Sequence, residues 1–447
     1  MDYDFLKVEK PKTAEETGTY ITRGFEIPPS VDGTVSRILK EVKADGDRAI
    51  LKFSEEFDCF KTKSINDIRV KDDEIKSAAL NVRESFPELV KALEVSYKNI
   101  KKYHTAQFKR EPVSWIIKSG KGKETGQIMR PLERVGIYVP GGRYIYPSSV
   151  LMTVIPALIA KVNEIVICTP PQSDGSLDQV LLYLCDRLKI KEIYKLGGAQ
   201  AIAALAYGTR GIRRVDKIIG PGNIYVTAAK KKVFGDVGID SLAGPSDVTI
   251  IADNSSNASF IAADLISQAE HDPDARSILL TTSIDTAKET IENIYKHLEA
   301  LVNEYSNKVN MEVILKSLKK NCRIIYSKEE DLLIKICNII APEHLEIMVK
   351  DTERILKKIK NAGAVFIGDY CPVAVGDYTG GTNHVIPTNG NARFASPLSV
   401  SDFLKRSSIT FYNENSLKKE IKSIKVISGL EKLFAHGYSV KVRFKKK

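Results

Sequence analysis

The stretch that decides the fold begins with "RVGIYVPGG" (residues 134–142), a short apolar run that ends in glycine, and continues with the helical pattern "SSVLMTVIPALIAKV" (148–162). Short apolar runs bounded by glycine or proline predict buried strands, and apolar residues three and four positions apart predict helices. The same alternation recurs as "EIVICTPP" (164–171) with "LDQVLLYLCDRLK" (177–189), "EIYKLGG" (192–198) with "AQAIAALAYGT" (199–209), and "VDKIIGPGN" (215–223) with "IYVTAAKKKVFGD" (224–236). This alternation predicts βαβ units and a parallel sheet.

A second series of strands and helices follows. Its strand patterns are "DVTIIAD" (247–253), "SILLTTS" (277–283), "CRIIYS" (322–327) and "AVFIGD" (364–369), and its helices lie near 258–271, 285–305, 309–319 and 350–360. We therefore predict one α/β unit up to residue 245 and another over 246–370. Helical spacing over residues 35–105 precedes both series, and if those helices belong to the second unit, 139–245 is an insertion. The tail predicts a strand "ITFYN" (409–413), a helix and a strand "SVKVRF" (439–444).

The composition predicts a soluble, cytoplasmic protein. Of 447 residues, 43% are hydrophobic and 28% are charged, as in ordinary globular chains. The first residues, "MDYDFLKVEKPKTAEE" (1–16), have no apolar core typical of a signal peptide, and "VLMTVIPALIA" (150–160) is too short to span a bilayer. The six cysteines form no CxxC pair, so any metal is predicted to have nitrogen and oxygen ligands.

The net charge of +11 raises the possibility of a nucleic-acid partner. The basic excess clusters in 92–130 and in the tail "KVRFKKK" (441–447), and neither segment has RNA-binding aromatic motifs or zinc-finger spacing. Much of the lysine alternates with glutamate on predicted helix faces. We therefore interpret the charge as solvated surface and keep nucleic-acid binding as a remote alternative.

Three glycine turns follow predicted strands: "PGG" (140–142), "GGAQ" (197–200) and "GPGN" (220–223). Open α/β sheets bind ligands at the carboxyl ends of their strands, and glycine lets the backbone approach a ligand closely. Tight turns need glycine in any case, and the GxGxxG fingerprint is absent. A nucleotide site and a purely structural role for these turns both stay open.

The histidines suggest a metal site. His104 and His297 lie in polar helical contexts and are predicted at the surface. The remaining four are His271, His344, His384 and His436. Gln268 and His271 are three residues apart at a predicted helix end and share one face, and Asp377 is a candidate carboxylate ligand. Imidazole and oxygen ligands without thiolate suit catalytic zinc, although surface placement of these side chains is an open alternative.

"APEHLEIMV" (341–349) places an acid, Glu343, beside His344. Pro342 suits a first helical position, and an acidic residue in a first turn complements the helix dipole. We therefore predict that a helix starts here. Simple helix capping is one interpretation of the pair, and acid–base catalysis is the other.

Several segments together resemble the signature segments of the histidinol dehydrogenase family. They are "GPGNIYVTAAKKKV" (220–233), "AGPSDVTIIAD" (243–253), "ISQAEHDPDA" (266–275), "APEHLE" (341–346) and "GDYTGGTNHVIPT" (376–388), with "VGIYVPGGRYIYPSSVLM" (135–152) and "GGAQAIAALAYGT" (197–209). The resemblance runs from about residue 30 to the end of the chain.

The resemblance implies a homodimeric enzyme with one zinc ion per subunit, which oxidises L-histidinol through L-histidinal to L-histidine with two NAD+. It implies two Rossmann-like parallel-sheet domains that lack GxGxxG, plus small terminal domains that intertwine the dimer. The boundaries expected on this basis are 1–30 for an amino-terminal arm, 31–138 with 246–398 for the first Rossmann-like domain, 139–245 for the inserted NAD-contacting domain, and 399–447 for a small carboxyl-terminal domain.

The resemblance also implies residue roles. The zinc ligands would be Gln268, His271, Asp377 and His436, the last of them acting in the other subunit's site. These four would contact the substrate together with Ser246, His344, His384 and Glu431. His344 would remove the hydroxyl proton, and Glu343 would activate water for the aldehyde step. The NAD contacts would be Tyr138, Gln200 and Asn223.

Other interpretations remain beside these roles. Without the resemblance, Ser246 reads as a turn residue, Glu431 as a surface glutamate and Tyr138 as a core aromatic. Related enzymes oxidise other small polyols, including sulfonated ones, but the carboxylate of Glu431 suits an amino group better than a sulfonate. The sequence departs from the family at Arg143 and Tyr144, where small residues are usual, and at Val373, where an acid is usual.

Overall fold

The computed structural model describes residues 5–21, 26–111, 113–141 and 146–444, with only the backbone described for 18–21 and 307. Arg143 and Tyr144 lie outside the described residues. The strands are β1 (Val8–Glu9), β2 (Trp115–Lys118), β3 (Lys123–Pro131), β4 (Arg134–Tyr138), β5 (Glu164–Thr169), β6 (Glu192–Lys195), β7 (Lys217–Ile219), β8 (Gly238–Ile239), β9 (Asp247–Ala252), β10 (Arg276–Thr281), β11 (Cys322–Tyr326), β12 (His344–Met348), β13 (Ala364–Ile367) and β14 (Leu404–Tyr412).

The helices surround these strands. They are α1 (Ala14–Ile21), α2 (Pro29–Asp45), α3 (Asp47–Phe57), α4 (Ile65–Ile68), α5 (Asp72–Ser85), α6 (Pro87–Phe108), α7 (Pro147–Ile159), α8 (Gln179–Leu188), α9 (Gly198–Tyr207), α10 (Ile224–Val233), α11 (Ala258–Ala269), α12 (Ile284–Tyr305), α13 (Met311–Asn321), α14 (Glu330–Ile340), α15 (Thr352–Leu356), α16 (Glu414–Leu430) and α17 (Phe434–Val442). Within the described residues, no helix is both long and apolar enough to cross a membrane.

The first alternating series forms a five-stranded parallel sheet in the order β6-β5-β4-β7-β8. Every residue of β4 is buried, because helices cover both faces of the sheet. α7, whose residues from Ser149 to Ala157 are buried, packs in the apolar cluster on one face. α2 and α9 pack in the cluster on the other face. The prediction of a parallel α/β sheet is confirmed here.

The second series forms a six-stranded parallel sheet in the order β1-β11-β10-β9-β12-β13. The strands β9, β10, β11 and β13 are those expected from the four apolar patterns. β12 lies between β9 and β13, where its five residues are all buried. A sequence of buried strands connected by helices therefore gives two parallel sheets, as predicted.

The helices α2 to α6 and the strand β4 pack in the five-stranded sheet's clusters, whereas the sequence analysis grouped 31–138 with 246–398. Val35, Ile38 and Val42 of α2 pack with Val166 of the five-stranded sheet. Helical spacing reveals that a helix has an apolar face but does not reveal which sheet that face covers. The 246–398 range also divides, since Val373 packs under the six-stranded sheet whereas Val385 packs under the other.

The carboxyl-terminal region forms a small antiparallel unit. β14 pairs with β3 in a three-stranded sheet of order β14-β3-β2, which confirms the strand over 409–412. The predicted strand over 439–444 is wrong, because Phe434–Val442 is the helix α17. Val and Lys alternate there with a strand-like period, but Gly437 lets α17 approach α16 closely: a Cβ at this position would lie 3.0 Å from Ser428 Oγ.

Candidate active site

The segment that carries Glu343 and His344 is a strand entry rather than a helix start. α14 ends at Ile340, and Ala341 adopts the left-handed conformation with φ of 48°. The chain then turns through Pro342, and β12 begins at His344. The predicted helix start is therefore wrong. The short apolar pattern after His344 suits a central strand as well as a helix, and the pairing of β12 with β9 and β13 decides between them.

Glu343 is held by a reciprocal pair of hydrogen bonds with Asp247 at the start of β9. The backbone N–H of Glu343 donates to Asp247 Oδ1 at 3.0 Å, and the backbone N–H of Asp247 donates to Glu343 Oε2 at 3.1 Å. Both residues are buried. The neighbouring strands therefore fix the Glu343 carboxyl, and Asp247 is a site residue that the sequence did not reveal.

The ring of His344 is oriented by the same residue. Its Nδ1 lies 2.9 Å from the backbone carbonyl of Asp247. A carbonyl only accepts, so Nδ1 carries the proton in the neutral ring and Nε2 is left as the proton acceptor. His344 is buried to 6% exposure. This arrangement gives a fixed imidazole base beside a fixed carboxyl.

The electrostatic surroundings favour proton transfer by Glu343. Burial raises its pKa well above the usual value, and the carboxylates of Asp247 and Asp377 raise it further, against a hydrogen bond from Ser246. Burial also raises the pKa of Asp247, opposed chiefly by the Arg276 guanidinium at 3.2 Å. A carboxyl with a raised pKa is a stronger base and suits acid–base chemistry near neutral pH.

Three predicted zinc ligands lie around Glu343 and His344. They belong to the main body of the chain, by which we mean the two parallel sheets and their helices. Gln268, near the end of α11, is 2% exposed, and both its Oε1 and its Nε2 lack a hydrogen-bond partner in the described protein. His271 follows the helix and is exposed, and Asp377 lies in the turn Val375–Thr379. Burial lowers the pKa of His384, which also senses the charges of Asp377, His344 and His271. The three segments that carry Gln268 with His271, His344, and Asp377 with His384 therefore converge.

Glu431 and His436 lie apart from that cluster, on the exposed arm formed by α16 and α17. The arm is attached to the three-stranded sheet, where Lys123 Nζ contacts Glu420 at 2.8 Å. Among the described residues of this single chain, no three His, Cys, Asp or Glu side chains lie close enough to hold a metal ion. Of the four predicted ligands, Gln268, His271 and Asp377 therefore lie in one region, and His436 lies on the arm.

Of the three predicted NAD-contacting residues, Tyr138 is the last residue of β4, and Gln200 and Asn223 follow the carboxyl ends of β6 and β7. Tyr138 Oη accepts a hydrogen bond from Gly198 N at 3.1 Å, and Gln200 Nε2 donates to Asp58 Oδ2 at 3.1 Å. Asn223 is exposed, and its Oδ1 caps α10. The sequence did not indicate that Asp58 belongs here, because Asp58 follows α3 and lies 142 positions before Gln200 in the chain.

Comparison with known proteins assigns the family. The family model described as histidinol dehydrogenase matches residues 23–444. The chain is 45% identical to histidinol dehydrogenase of Clostridium acetobutylicum over 92% of each chain, and 45% identical to that of Bacillus thuringiensis over 99% of this chain and 98% of the other. The chain belongs to the histidinol dehydrogenase family. The crystal structure of histidinol dehydrogenase from Elizabethkingia anophelis is similar, with a TM-score of 0.88 and 34% identity over 98% of both chains.

Membership of the histidinol dehydrogenase family confirms the resemblance read from the sequence. The family oxidises histidinol to histidine in histidine biosynthesis, so the chain is an oxidoreductase that acts on a CH–OH group. The individual site residues stay predictions, and the sequence missed several that support them. His104, predicted at the surface, is fully buried, and His297 is partly buried against Ser259.

Val373, where the histidinol dehydrogenase family commonly has an acid, is 8% exposed and packs among apolar residues. Its backbone N–H donates to Glu346 Oε1 at 3.0 Å. Glu346 Oε2 has no donor in the described protein and faces Asp264, one helical turn before Gln268. Burial raises the pKa of Glu346 well above its usual value and that of Asp264 to about 6. We expect the two carboxyls to share one proton, which would link β12 to α11 beside the segment that leads to Asp377.

Replacing Glu346 with Gln should change how stability depends on pH. A carboxyl whose pKa is raised by folding stays protonated in the native state at pH values at which the same carboxyl of the unfolded chain is ionised. Native stability then falls as pH rises from the unfolded value of about 4.3 toward the raised one. Glutamine donates to Asp264 at any pH. We expect the melting temperature of Glu346→Gln, relative to the unmodified protein, to rise by on the order of 2 °C between pH 5 and pH 8.

Differential scanning calorimetry at both pH values measures this change. The matched control is Glu353→Gln at an exposed glutamate of α15. That substitution should give the same difference in melting temperature at pH 5 and pH 8. A pH-independent difference for Glu346→Gln as well would show that no shared proton is present.

Proposed function

We propose that this chain oxidises L-histidinol to L-histidine through L-histidinal, a four-electron oxidation that uses zinc and two NAD+. The observation that carries the proposal is the buried arrangement of Glu343 and His344 around Asp247. One carboxyl with a raised pKa and one imidazole with a free Nε2 lie on adjacent residues. The two half-reactions need an acid–base group for the alcohol and another for the water that adds to the aldehyde.

The residues of the main body fit a zinc ion. Gln268 has a buried amide without partners, which is costly unless something binds there. Gln268, His271 and Asp377 supply oxygen and nitrogen donors, which zinc accepts at catalytic sites with an open position. We infer that they hold zinc together with a second subunit's histidine at position 436. When bound, zinc would supply Lewis-acid polarisation of the substrate and hold its imidazole and amino groups.

His344 acts as the general base of the alcohol step. Its Nε2 accepts the hydroxyl proton of histidinol, and the resulting imidazolium is stabilised because Nδ1–H points at the carbonyl of Asp247. Glu343 then removes a proton from water as the water oxygen adds to the aldehyde carbon. The protonated His344 gives its proton to the former aldehyde oxygen, which completes the neutral hydrate, and the proton on Glu343 passes to solvent. The neutral His344 then takes a hydroxyl proton of the hydrate as the second hydride leaves for NAD+. Glu343 keeps its place because Asp247 N–H binds one of its oxygens.

The remaining predicted contacts complete the substrate site. Ser246 donates a hydrogen bond to the Glu343 carboxyl, and His384 Nε2 lies 3.4 Å from Ser149 Oγ. We infer that Ser246 and His384 meet polar groups of the substrate from two sides, and that Glu431 of a second subunit meets its amino group.

NAD+ is proposed to bind at the carboxyl edge of the five-stranded sheet, against Tyr138, Gln200 and Asn223. When bound, it accepts the hydride that each oxidation releases. Gln200 is 1% exposed and its amide is held by Asp58, so it presents a fixed group at that edge. A biosynthetic enzyme that depends on NAD+ fits the cytoplasm, which stays a prediction.

We propose a homodimer in which the α16–α17 arm reaches the partner's site. Several large apolar side chains of the arm are exposed: Val426, Ile427, Leu430, Leu433, Phe434 and Tyr438. Apolar clusters of this kind on one surface indicate a protein interface. The same arm carries Glu431 and His436, the two predicted site residues that lie apart from the main cluster. In this dimer a second copy of the chain covers the apolar side chains of the arm. The same contact brings His436 of the arm to the metal site of that second copy.

The test is the amount of NADH formed by zinc-loaded protein from a limiting quantity of L-histidinol. Two molecules of NADH for each histidinol, with histidine as the product, are expected. One NADH would show that the reaction stops at the aldehyde. No NADH from folded, zinc-bound protein would reject histidinol as the substrate, and a sulfonated polyol would be assayed next.

Replacing Glu343 with Gln should separate the two half-reactions. Glutamine still accepts from Asp247 N–H through its carbonyl oxygen, so the strand entry keeps its geometry, but it does not take a proton from water. We expect oxidation of supplied L-histidinal to fall by roughly 10²-fold or more, and alcohol oxidation to fall much less. Rapid-mixing assays of NADH formation from each substrate measure the two rates. An equal loss in both would contradict the role of Glu343 as the water-activating base.

A further inference from the structure

His104 has a hydrogen-bond environment that the proposed chemistry does not use. The side chain lies on α6 and is completely buried. Its Nδ1 lies 2.9 Å from Gln107 Oε1, and its Nε2 lies 3.3 Å from Asn383 Nδ2. Burial lowers the pKa of His104, opposed by the hydrogen bond to Gln107. An apolar residue would fill the same space without burying two polar atoms, so the partners of His104 are the feature to explain.

The neighbours of His104 fix which ring nitrogen carries the proton. Gln107 Oε1 also accepts from the backbone N–H of Val400 at 3.0 Å, so this oxygen faces both donors. Nδ1 of His104 must therefore donate to it. In the neutral ring, Nε2 then has a free lone pair, and Asn383 Nδ2 donates to that lone pair. A proton on Nε2 would face a second donor, so this network requires the neutral ring.

Asn383 is itself fully used by this arrangement. Its Nδ2 also donates to the backbone carbonyl of Met152 on α7 at 2.6 Å, so both amide hydrogens are bound. Its Oδ1 accepts from the backbone N–H of Val385 at 2.9 Å. That last bond spans one residue, His384, and closes the backbone around it in an Asx-type turn. The orientation of the Asn383 amide therefore determines where the backbone of His384 lies.

His384 is the residue in this segment that the proposed function uses. Its Nε2 lies 3.4 Å from the hydroxyl of Ser149, which stands one helical turn before Met152 on α7. Asn383 and His384 thus both contact α7, one as an anchor and the other at the edge of the site. If the anchor rotates, the His384 imidazole changes its position against Ser149 and against the neighbouring Asp377, whose charge it senses.

We propose that His104 is a positioning residue for histidinol binding: its unprotonated Nε2 holds Asn383, and Asn383 holds the loop that presents His384 to the substrate. The proposal rests on the proposed role of His384 in the substrate site. His104 itself does not touch the substrate and acts through two intermediates. Loss of the His104–Asn383 hydrogen bond should therefore weaken the binding of histidinol. The binding of NAD+ should not change, because its proposed contacts lie at the carboxyl edge of the five-stranded sheet.

Two substitutions separate the two hydrogen bonds of the ring. In His104→Gln, the amide oxygen reaches the Nε2 position and continues to accept from Asn383. In His104→Asn, the shorter amide reaches the Nδ1 position, continues to donate to Gln107 and leaves Asn383 without its acceptor. Each variant loses one buried hydrogen bond, so they are matched in stability cost but differ in the bond that leads to His384.

Steady-state kinetics with each substrate varied in turn tests the proposal. For His104→Asn we expect the KM of histidinol to rise about tenfold and the KM of NAD+ to stay within about twofold. For His104→Gln both constants should stay within about threefold of the unmodified values. Asn383→Asp, which keeps the acceptor for Val385 N–H but loses both donors, should reproduce the His104→Asn pattern. Asn383→Asp also tests the proposal if the substitutions at residue 104 prevent folding.

The contrary outcomes are distinct. Equal histidinol KM values in His104→Asn and His104→Gln, or a parallel rise in the KM of both substrates, would overturn the positioning role and leave His104 as a packing residue. Failure of the unmodified, zinc-loaded protein to oxidise histidinol would instead reject the proposed function. His297→Gln, at a histidine bound to Ser259 and outside the site, is the matched control and should leave both KM values unchanged.

Discussion

Replacing His344 with Asn is expected to lower the turnover of L-histidinol by roughly 10²–10⁴-fold, the usual contribution of a general base. Asparagine is a close local substitute, because its side-chain N–H continues to donate to the carbonyl of Asp247, as Nδ1 does at 2.9 Å. β12 therefore keeps its entry geometry. The substitution removes only Nε2, the atom that receives the hydroxyl proton.

Bound zinc should be unaffected by this change, because His344 is outside the proposed ligand set. The measurements are initial rates of NADH formation and the zinc content per subunit. His297→Asn, the same substitution at a histidine away from the site, should retain near-normal turnover. Loss of zinc from His344→Asn would move His344 into the ligand set, and near-normal turnover would exclude it as the base.

The two parallel sheets followed from the sequence because their strands are buried on both faces. Runs such as "EIVICT" have no polar face, so their composition alone identifies the strand type. The errors lie where a pattern is short. "HLEIM" after Pro342 suits a strand or a helix, and "SVKVRF" alternates like a strand but lies largely in α17. In both places contacts with distant residues decide the conformation.

The identity of the site residues followed from resemblance, whereas their supports did not. Asp247 lies 96 positions from Glu343 in the chain, and nothing local to "AGPSDV" indicates that its carboxyl and its backbone both bind Glu343. Glu346 and Asp264 are likewise distant, and each reads as an ordinary charged residue. Polar groups that only meet after folding leave no periodic signal in the sequence.

The rule that ligands bind at the carboxyl ends of strands locates the proposed cofactor site but not the catalytic pair. Ligands of open α/β sheets bind at the carboxyl ends of strands, and Tyr138 obeys this rule at the end of β4. His344 and Asp247, however, stand at the amino ends of β12 and β9. We infer that the carboxyl edge of one sheet serves the cofactor and that the amino edge of the other serves the chemistry.

Mixing two inactive variants should restore activity if His436 completes the partner's site. His436→Ala removes a proposed ligand on the arm, and His344→Ala removes the base in the main body. In a heterodimer, one site combines an intact His344 with the intact His436 of the other subunit, and the second site has neither. Purified heterodimers should therefore show about half of the unmodified activity, since closed two-fold symmetry gives two equivalent sites and one is rebuilt.

Differently tagged subunits, co-expressed and purified on both tags in turn, provide the heterodimer without either homodimer. Each parent homodimer should be at least about 10²-fold less active than the unmodified protein, because each lacks an essential group at both of its sites. If His436 acts in its own subunit instead, both sites of the heterodimer lack one group and no activity returns. The exposed position of His436 on the arm, away from Gln268, His271 and Asp377, is the reason to expect recovery. A heterodimer as inactive as its parents would therefore contradict the proposal that His436 completes the partner's site.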